Sequence, residues 1–172
     1  MTLEELKLGG KFMVEHWRDG EKIDEFEAKN LVTNEALNHI LNVVLHGSPS
    51  PSTTWYIGLF KSDYTPTAAD TLATPGFTEA IPTTDYDEAA RQEWDEADAG
   101  ASAQQITNGS GTGATKATFN MAASNTIYGA FLCNAASGSS GVLFASSRFA
   151  AGRPVVDNDQ LIITYTLQAA SS

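Results

Sequence analysis

The sequence predicts an all-β protein, an antiparallel β-sandwich of Ig-like or jelly-roll-like form with one short covering α-helix and a long acidic insertion. Four short apolar runs separated by Ala-, Ser-, Asn- and Gly-rich turns occupy residues 116–168, which is the spacing of an antiparallel sandwich or barrel. In the last run Ile163, Tyr165 and Leu167 alternate with polar residues, the period of a half-buried strand. Residues 116–168 are therefore expected to form the core strands, and earlier segments to supply the partner sheet.

Composition sets the class of protein and excludes several partners. A length of 172 residues with 42% hydrophobic and 18% charged residues fits one domain spanning residues 1–172. The formal net charge of −11 argues against nucleic acid as a partner. No run approaches the roughly 20 apolar residues that span a bilayer, and no secretory signal is evident, so no membrane partner is expected. Cys133 is the only cysteine, which excludes an internal disulfide and favours a buried apolar role.

Residues 10–28 are predicted to form an N-terminal hairpin. Its centre is Asp19-Gly20, a dipeptide suited to the positive φ values of a tight hairpin turn. Apolar side chains fall on both faces of the first strand, with Phe12 on one and Trp17 on the other. We therefore expect this strand to make contacts on both of its faces.

A helix is predicted over residues 34–46. Thr33 or Asn34 can cap its start, and Gly47 is a natural stop. Four apolar residues fall on one stripe of such a helix, which is expected to cover an open edge or end of the sheets: Leu37, Ile40, Leu41 and Val44.

A loop-rich insertion is predicted over residues 61–113, after a continuous apolar run at Trp55–Phe60 that is expected to be a buried strand. A connection of this length inside one domain is usually functional or mobile. Within it, Asp85–Asp98 places seven carboxylates beside one cation, Arg91. We interpret this segment as a solvated acidic face. A calcium site is the alternative, although the usual Asp-x-Asp-x-Asp-Gly loop is absent.

No catalytic constellation stands out, so the chain is predicted not to be an enzyme and to need no cofactor or metal. Neither the zinc-binding His-Glu-x-x-His pattern nor the Gly-x-Ser-x-Gly nucleophile turn occurs. Many carboxylate pairs are available for glycoside hydrolysis, so none is singled out. The segment Gly109–Gly113 lacks the lysine of a phosphate-binding loop and is interpreted as a flexible turn.

A likeness to a known family lies in Lys29–Leu37, Thr54–Phe60, Tyr86–Arg91, Ala117–Met121, Thr126–Phe131, Gly141–Ala145, Arg153–Val155 and Asp159–Leu167. These segments resemble a family of small tailed-bacteriophage virion proteins. The resemblance implies a structural component of the particle, either a head decoration (cement) protein or a tail appendage. Residues before Lys29 match least, and we interpret them as the part adapted to this particle's own partner.

The first functional hypothesis is a non-enzymatic capsid decoration protein that bridges subunits of the major capsid protein. It would lie on the virion after synthesis in the host cytoplasm, as a homo-oligomer. The alternative is a tail fibre or baseplate appendage, with host-glycan binding as a further hypothesis. Four aromatic residues are expected to be exposed and to anchor the interface: Phe12, Trp17, Phe26 and Trp94. Arg148 and Arg153 are the other candidate interface residues. They are interpreted as a surface pair, or one of them as a bridge to a carboxylate of the acidic loop or of a neighbouring subunit.

Overall fold

In a computed structural model, which describes residues 6–97, 104–109 and 114–171, the strands pack as two antiparallel sheets. The predicted fold class, an antiparallel sandwich with one short α-helix, is confirmed. Helix α1 spans Asn34–Leu41 and continues into a π-helical turn, Asn42–His46. The strands are β1 (Leu6–Arg18), β2 (Glu21–Lys29), β3 (Leu31–Val32), β4 (Tyr56–Phe60), β5 (Gln92–Glu93), β6 (Gln105–Thr107), β7 (Ala117–Asn120), β8 (Asn125–Cys133), β9 (Leu143–Val155) and β10 (Gln160–Ser171).

The first sheet has the order β2-β1-β10-β6, and β7 also pairs with β10. The longest pairing joins β1 to β10, from Leu6 opposite Ser171 to Trp17 opposite Gln160. Strands β1 and β2 are joined through Asp19 (φ 51°) and Gly20 (φ 79°), at the position of the predicted hairpin turn. Two consecutive residues with positive φ give the turn the twist that antiparallel strands need.

The second sheet has the order β3-β9-β8-β4-β5. Residues 57–60 of β4 are all buried, as the continuous apolar run predicted. Ile57 and Leu59 point into the main core between the sheets, whereas Phe60 points to the opposite side. The sheet is therefore covered on both faces, because the insertion packs over its outer side.

A second apolar cluster lies between this sheet and the insertion. The insertion contributes Leu72 and Phe77, and Phe77 stacks on Phe60 of β4 with ring centroids 4.6 Å apart. Gly129 of β8 admits the Phe60 ring, since a Cβ at that position would overlap the ring. The first part of the insertion is thus a packed layer of the domain.

Helix α1 packs on the sandwich in a way that the sequence did not predict. Ala36 is fully buried and Ile40 is partly buried against the main core, but Leu37, Leu41 and Val44 are exposed. The predicted covering role of the apolar stripe is therefore wrong for three of its four residues. In the described residues, no helix has the length and apolarity needed to cross a membrane.

Candidate interaction surfaces

Two of the aromatics predicted at an interface lie in the core. Phe12 has no exposed surface, and its ring centroid lies 4.5 Å from that of Tyr165. Trp94 is 4% exposed, and its indole Nε1 donates to the Tyr165 carbonyl oxygen at 3.0 Å. The expected exposure of both residues is wrong, because the two sheets close over them. Replacing Trp94 would test folding rather than binding of a partner or a glycan.

The other two aromatics are half-buried and already have partners within the chain. Trp17 lies on the outer face of β1 and donates from its indole Nε1 to Glu15 Oε2 at 3.0 Å. Phe26 lies under the guanidinium of Arg153, whose Cζ is 3.8 Å from the ring centroid. Arg153 also pairs with Asp24. Each ring presents only part of its surface to solvent.

Arg148 forms a surface ion pair. Its Nε lies 2.6 Å from Asp63 Oδ1, and both side chains are partly exposed. Asp63 belongs to the insertion, so Arg148 links β9 to the insertion, whereas Arg153 pairs with Asp24 of β2. A bridge from either arginine to a neighbouring subunit stays a prediction. The interpretation as surface pairs fits Arg148 best, and pairs this exposed add little to stability.

The acidic run is partly a structural element rather than a uniformly solvated face. Asp85 is 4% exposed and accepts hydrogen bonds from the Ile81 amide, Lys61 Nζ and Asn125 Nδ2 at 2.6 to 2.8 Å. Burial opposes its ionisation, but these hydrogen bonds outweigh burial and lower the pKa of Asp85. In the described part of the chain, no three His, Cys, Asp or Glu side chains are placed to hold a metal ion. Asp98, like most of Gly109–Gly113, lies outside the described residues.

Arg91 is the structural residue that the sequence did not identify. Its side chain is 3% exposed and makes a bidentate ion pair with Glu79, with N–O distances of 2.6 and 2.7 Å. It also donates to the carbonyl oxygens of Ala135 and Gly138, both at 2.8 Å. Arg91 thereby ties the insertion to the loop between β8 and β9. The available signal was its isolation as the one cation in an acidic run.

A second buried charge cluster ties the first hairpin to the β9–β10 turn. Asp159 is 1% exposed and accepts two hydrogen bonds from Arg18, each at 2.7 Å. His16 Nε2 lies 2.8 Å from Asp159 Oδ2, and the Val156 amide donates to the same oxygen at 2.9 Å. The Arg18 guanidinium, aided by the Val156 amide and His16, holds the pKa of Asp159 well below its usual range although burial opposes this.

A cavity of about 200 Å³ lies between the sheets beside Trp55 and Trp94. Its wall is mainly apolar, and Glu96 is the charged residue that lines it. Carbohydrate sites combine an exposed ring with several converging polar groups. The indole N–H of Trp94 is already bound to a backbone carbonyl, so that group is not available to a ligand in this cavity.

Residues 27–168 match the family model described as Podophage GP4 fiber I protein gp80. The chain belongs to this family. The match covers most of the chain, from the end of β2 to within β10. Comparison with curated proteins gives no significant match.

The family confirms the resemblance to phage virion structural proteins and a location in the virion. The matched range begins at residue 27, close to Lys29, where the resemblance in the sequence also begins. The hairpin before this point is nevertheless part of the sandwich, because β1 lies between β2 and β10 and buries Phe12 and Val14. The hairpin is therefore an integral part of the sandwich, and its adaptation to this particle's own partner stays a prediction.

Proposed function

We propose that this chain is a non-enzymatic structural module of the tail fibre of a short-tailed phage. The observation that carries the proposal is the match of residues 27–168 to a podophage fibre family. It favours the tail appendage, the alternative hypothesis from the sequence, over head decoration. The partners are then other fibre or tail proteins rather than the major capsid protein.

The internal chemistry of the sandwich supports a mechanical role. The buried charged groups Asp85, Arg91 and Asp159 are each bound by several internal partners. Each of them joins segments that are far apart in sequence. Such fully paired polar groups restrain loops that would otherwise open locally, as a component that must keep its shape on the outside of a particle requires.

The negative surface also suits a position on the tail. With a net charge of −11 the chain repels DNA at long range. A fibre module would therefore not retain genome that leaves the particle through the tail. The same charge would suit a head protein, so this observation supports a virion role without separating the two locations.

Co-sedimentation with isolated tails and with emptied heads of the same phage separates the two locations. The fibre proposal predicts saturable binding to tails at a few copies per particle, competed by unlabelled protein. An acidic protein of similar size serves as the control for nonspecific adsorption. Binding to heads at hundreds of copies, with none to tails, would refute the fibre proposal and restore the decoration hypothesis. Immunogold labelling of intact virions gives an independent location.

A further inference from the structure

Helix α1 and the π-helical turn carry four exposed aliphatic side chains. The exposed fractions are 41% for Leu37, 55% for Leu41, 70% for Val44 and 79% for Leu45. Their positions follow the i, i+4, i+7, i+8 pattern, so they lie along one face. We call these four residues the aliphatic stripe.

The helix is held on the sandwich by groups outside the aliphatic stripe. Thr33 accepts from the Ala36 amide at 3.1 Å and donates to the Leu143 carbonyl oxygen, which fixes the first turn. Glu35 Oε2 accepts from the amides of Leu72 and Leu143 at 3.0 and 2.6 Å. Ala36 is fully buried beneath the helix. These contacts fix the first turn of the helix and so present the stripe in a fixed orientation.

The size of the stripe is that of the apolar centre of an interface. The four side chains expose on the order of 400 Å² of apolar surface, within the range in which the largest patch on a monomer is often functional. A specific interface buries about 800 Å² on each partner, of which a little over half is apolar. The stripe and a rim of neighbouring polar residues would together supply that area.

The charge distribution favours a second copy of the chain as the occupant. The whole chain has a net charge of −11, so most contacts between two copies would bring carboxylates together. No Asp or Glu occurs between Glu35 and Asp63, the segment that contains the stripe. A purely aliphatic surface is also complementary to itself, as a two-fold contact requires.

We propose that two copies of this chain associate through the aliphatic stripe. The stripes pack against each other, and the carboxylates of each copy remain at the periphery of the contact. This inference goes beyond the proposed fibre role and does not depend on it, since it concerns the purified chain alone.

Sedimentation equilibrium from about 1 to 100 μM tests the self-association, since this range covers dissociation constants typical of modest interfaces. The wild-type mass is expected to rise from 18.3 kDa towards twice that value. The variant carrying Leu41→Glu and Leu45→Glu is expected to stay at 18.3 kDa, with a dissociation constant raised at least tenfold. Ile23→Glu is the matched control, because Ile23 is 50% exposed on β2.

Circular dichroism and urea midpoints establish that the variants are folded. A wild-type mass of 18.3 kDa throughout the range would overturn the proposal. So would a folded stripe variant that associates as tightly as wild type, or an Ile23→Glu control that dissociates as much as the stripe variant. Co-sedimentation with tails reports on the fibre role separately. A monomeric chain that binds tails would refute only the self-association.

Discussion

Replacement of Arg91 by Ala tests whether the insertion is a packed layer of the domain. The guanidinium is almost fully buried and binds both carboxylate oxygens of Glu79. It also satisfies the carbonyl oxygens of Ala135 and Gly138. Arg91→Ala removes the two hydrogen bonds to Glu79 within the insertion and the two to the β8–β9 loop.

The expected loss in the free energy of unfolding follows from the groups that lose their partner when the Arg91 side chain is removed. Breaking a buried ion pair from one side costs about 3–5 kcal/mol. Glu79 is 29% exposed and can regain water, so we take the lower end of that range, about 3 kcal/mol. Two carbonyls that lose a partner add roughly 1 kcal/mol each. The sum, about 5 kcal/mol, is a large fraction of the 5–15 kcal/mol that stabilises a typical domain.

Urea unfolding followed by tryptophan fluorescence measures this loss. Arg91→Lys keeps the charge but lacks the fork that binds both Glu79 oxygens, so it is expected to recover only part of the stability. Arg148→Ala is the matched control, since its ion pair with Asp63 lies on the surface and should contribute little. If Arg91→Ala unfolds at the same urea concentration as Arg148→Ala, the insertion is not held in the way described.

Two further substitutions test the buried cluster and the packing of the second sheet. Asp159→Asn is expected to cost about 3 kcal/mol at neutral pH. Because folding lowers the pKa of Asp159, its contribution is complete above the ordinary value of 3.8 and is lost as the pH falls below it. The difference between the urea midpoints of wild type and Asp159→Asn should therefore be smaller at about pH 3 than at neutral pH, and a constant difference would contradict the assignment. Gly129→Ala should cost about 1–3 kcal/mol in thermal unfolding, because its Cβ would overlap the Ser147 carbonyl oxygen. Gly9→Ala, where a Cβ meets open space, should be close to neutral, and equal losses would refute the packing argument.

The features predicted correctly are those that local sequence determines. Alternation in the last core run identifies β10 because a strand with one buried face must alternate. Asp19-Gly20 marks the hairpin turn because both residues adopt positive φ there. The continuous run at β4 indicates burial on both faces, although the sequence does not reveal that the insertion provides the second cover.

The features predicted wrongly depend on partners distant in sequence. Both faces of β1 are apolar, and Phe12 is inside because its face meets Tyr165 of β10. The interpretation of Asp85–Asp98 as a solvated acidic face misses the burial of Arg91, because its acceptors Ala135 and Gly138 lie in the β8–β9 loop. The exposure of Leu41 contradicts the usual assumption that an apolar stripe faces the core.

In helix α1 the apolar residues and the groups that attach the helix to the sandwich are largely different. An apolar stripe normally attaches a helix to its domain. An exposed apolar stripe without a partner would lower the solubility of the protein. Here the Thr33 cap and the two hydrogen bonds accepted by Glu35 perform the attachment. These polar groups, together with Ala36 and Ile40 packed against the core, hold the helix, while most of the surface of Val44 and Leu45 is left exposed. The proposed contact between two copies would cover these residues, and the Leu41→Glu and Leu45→Glu variant separates that role from any role in holding the helix.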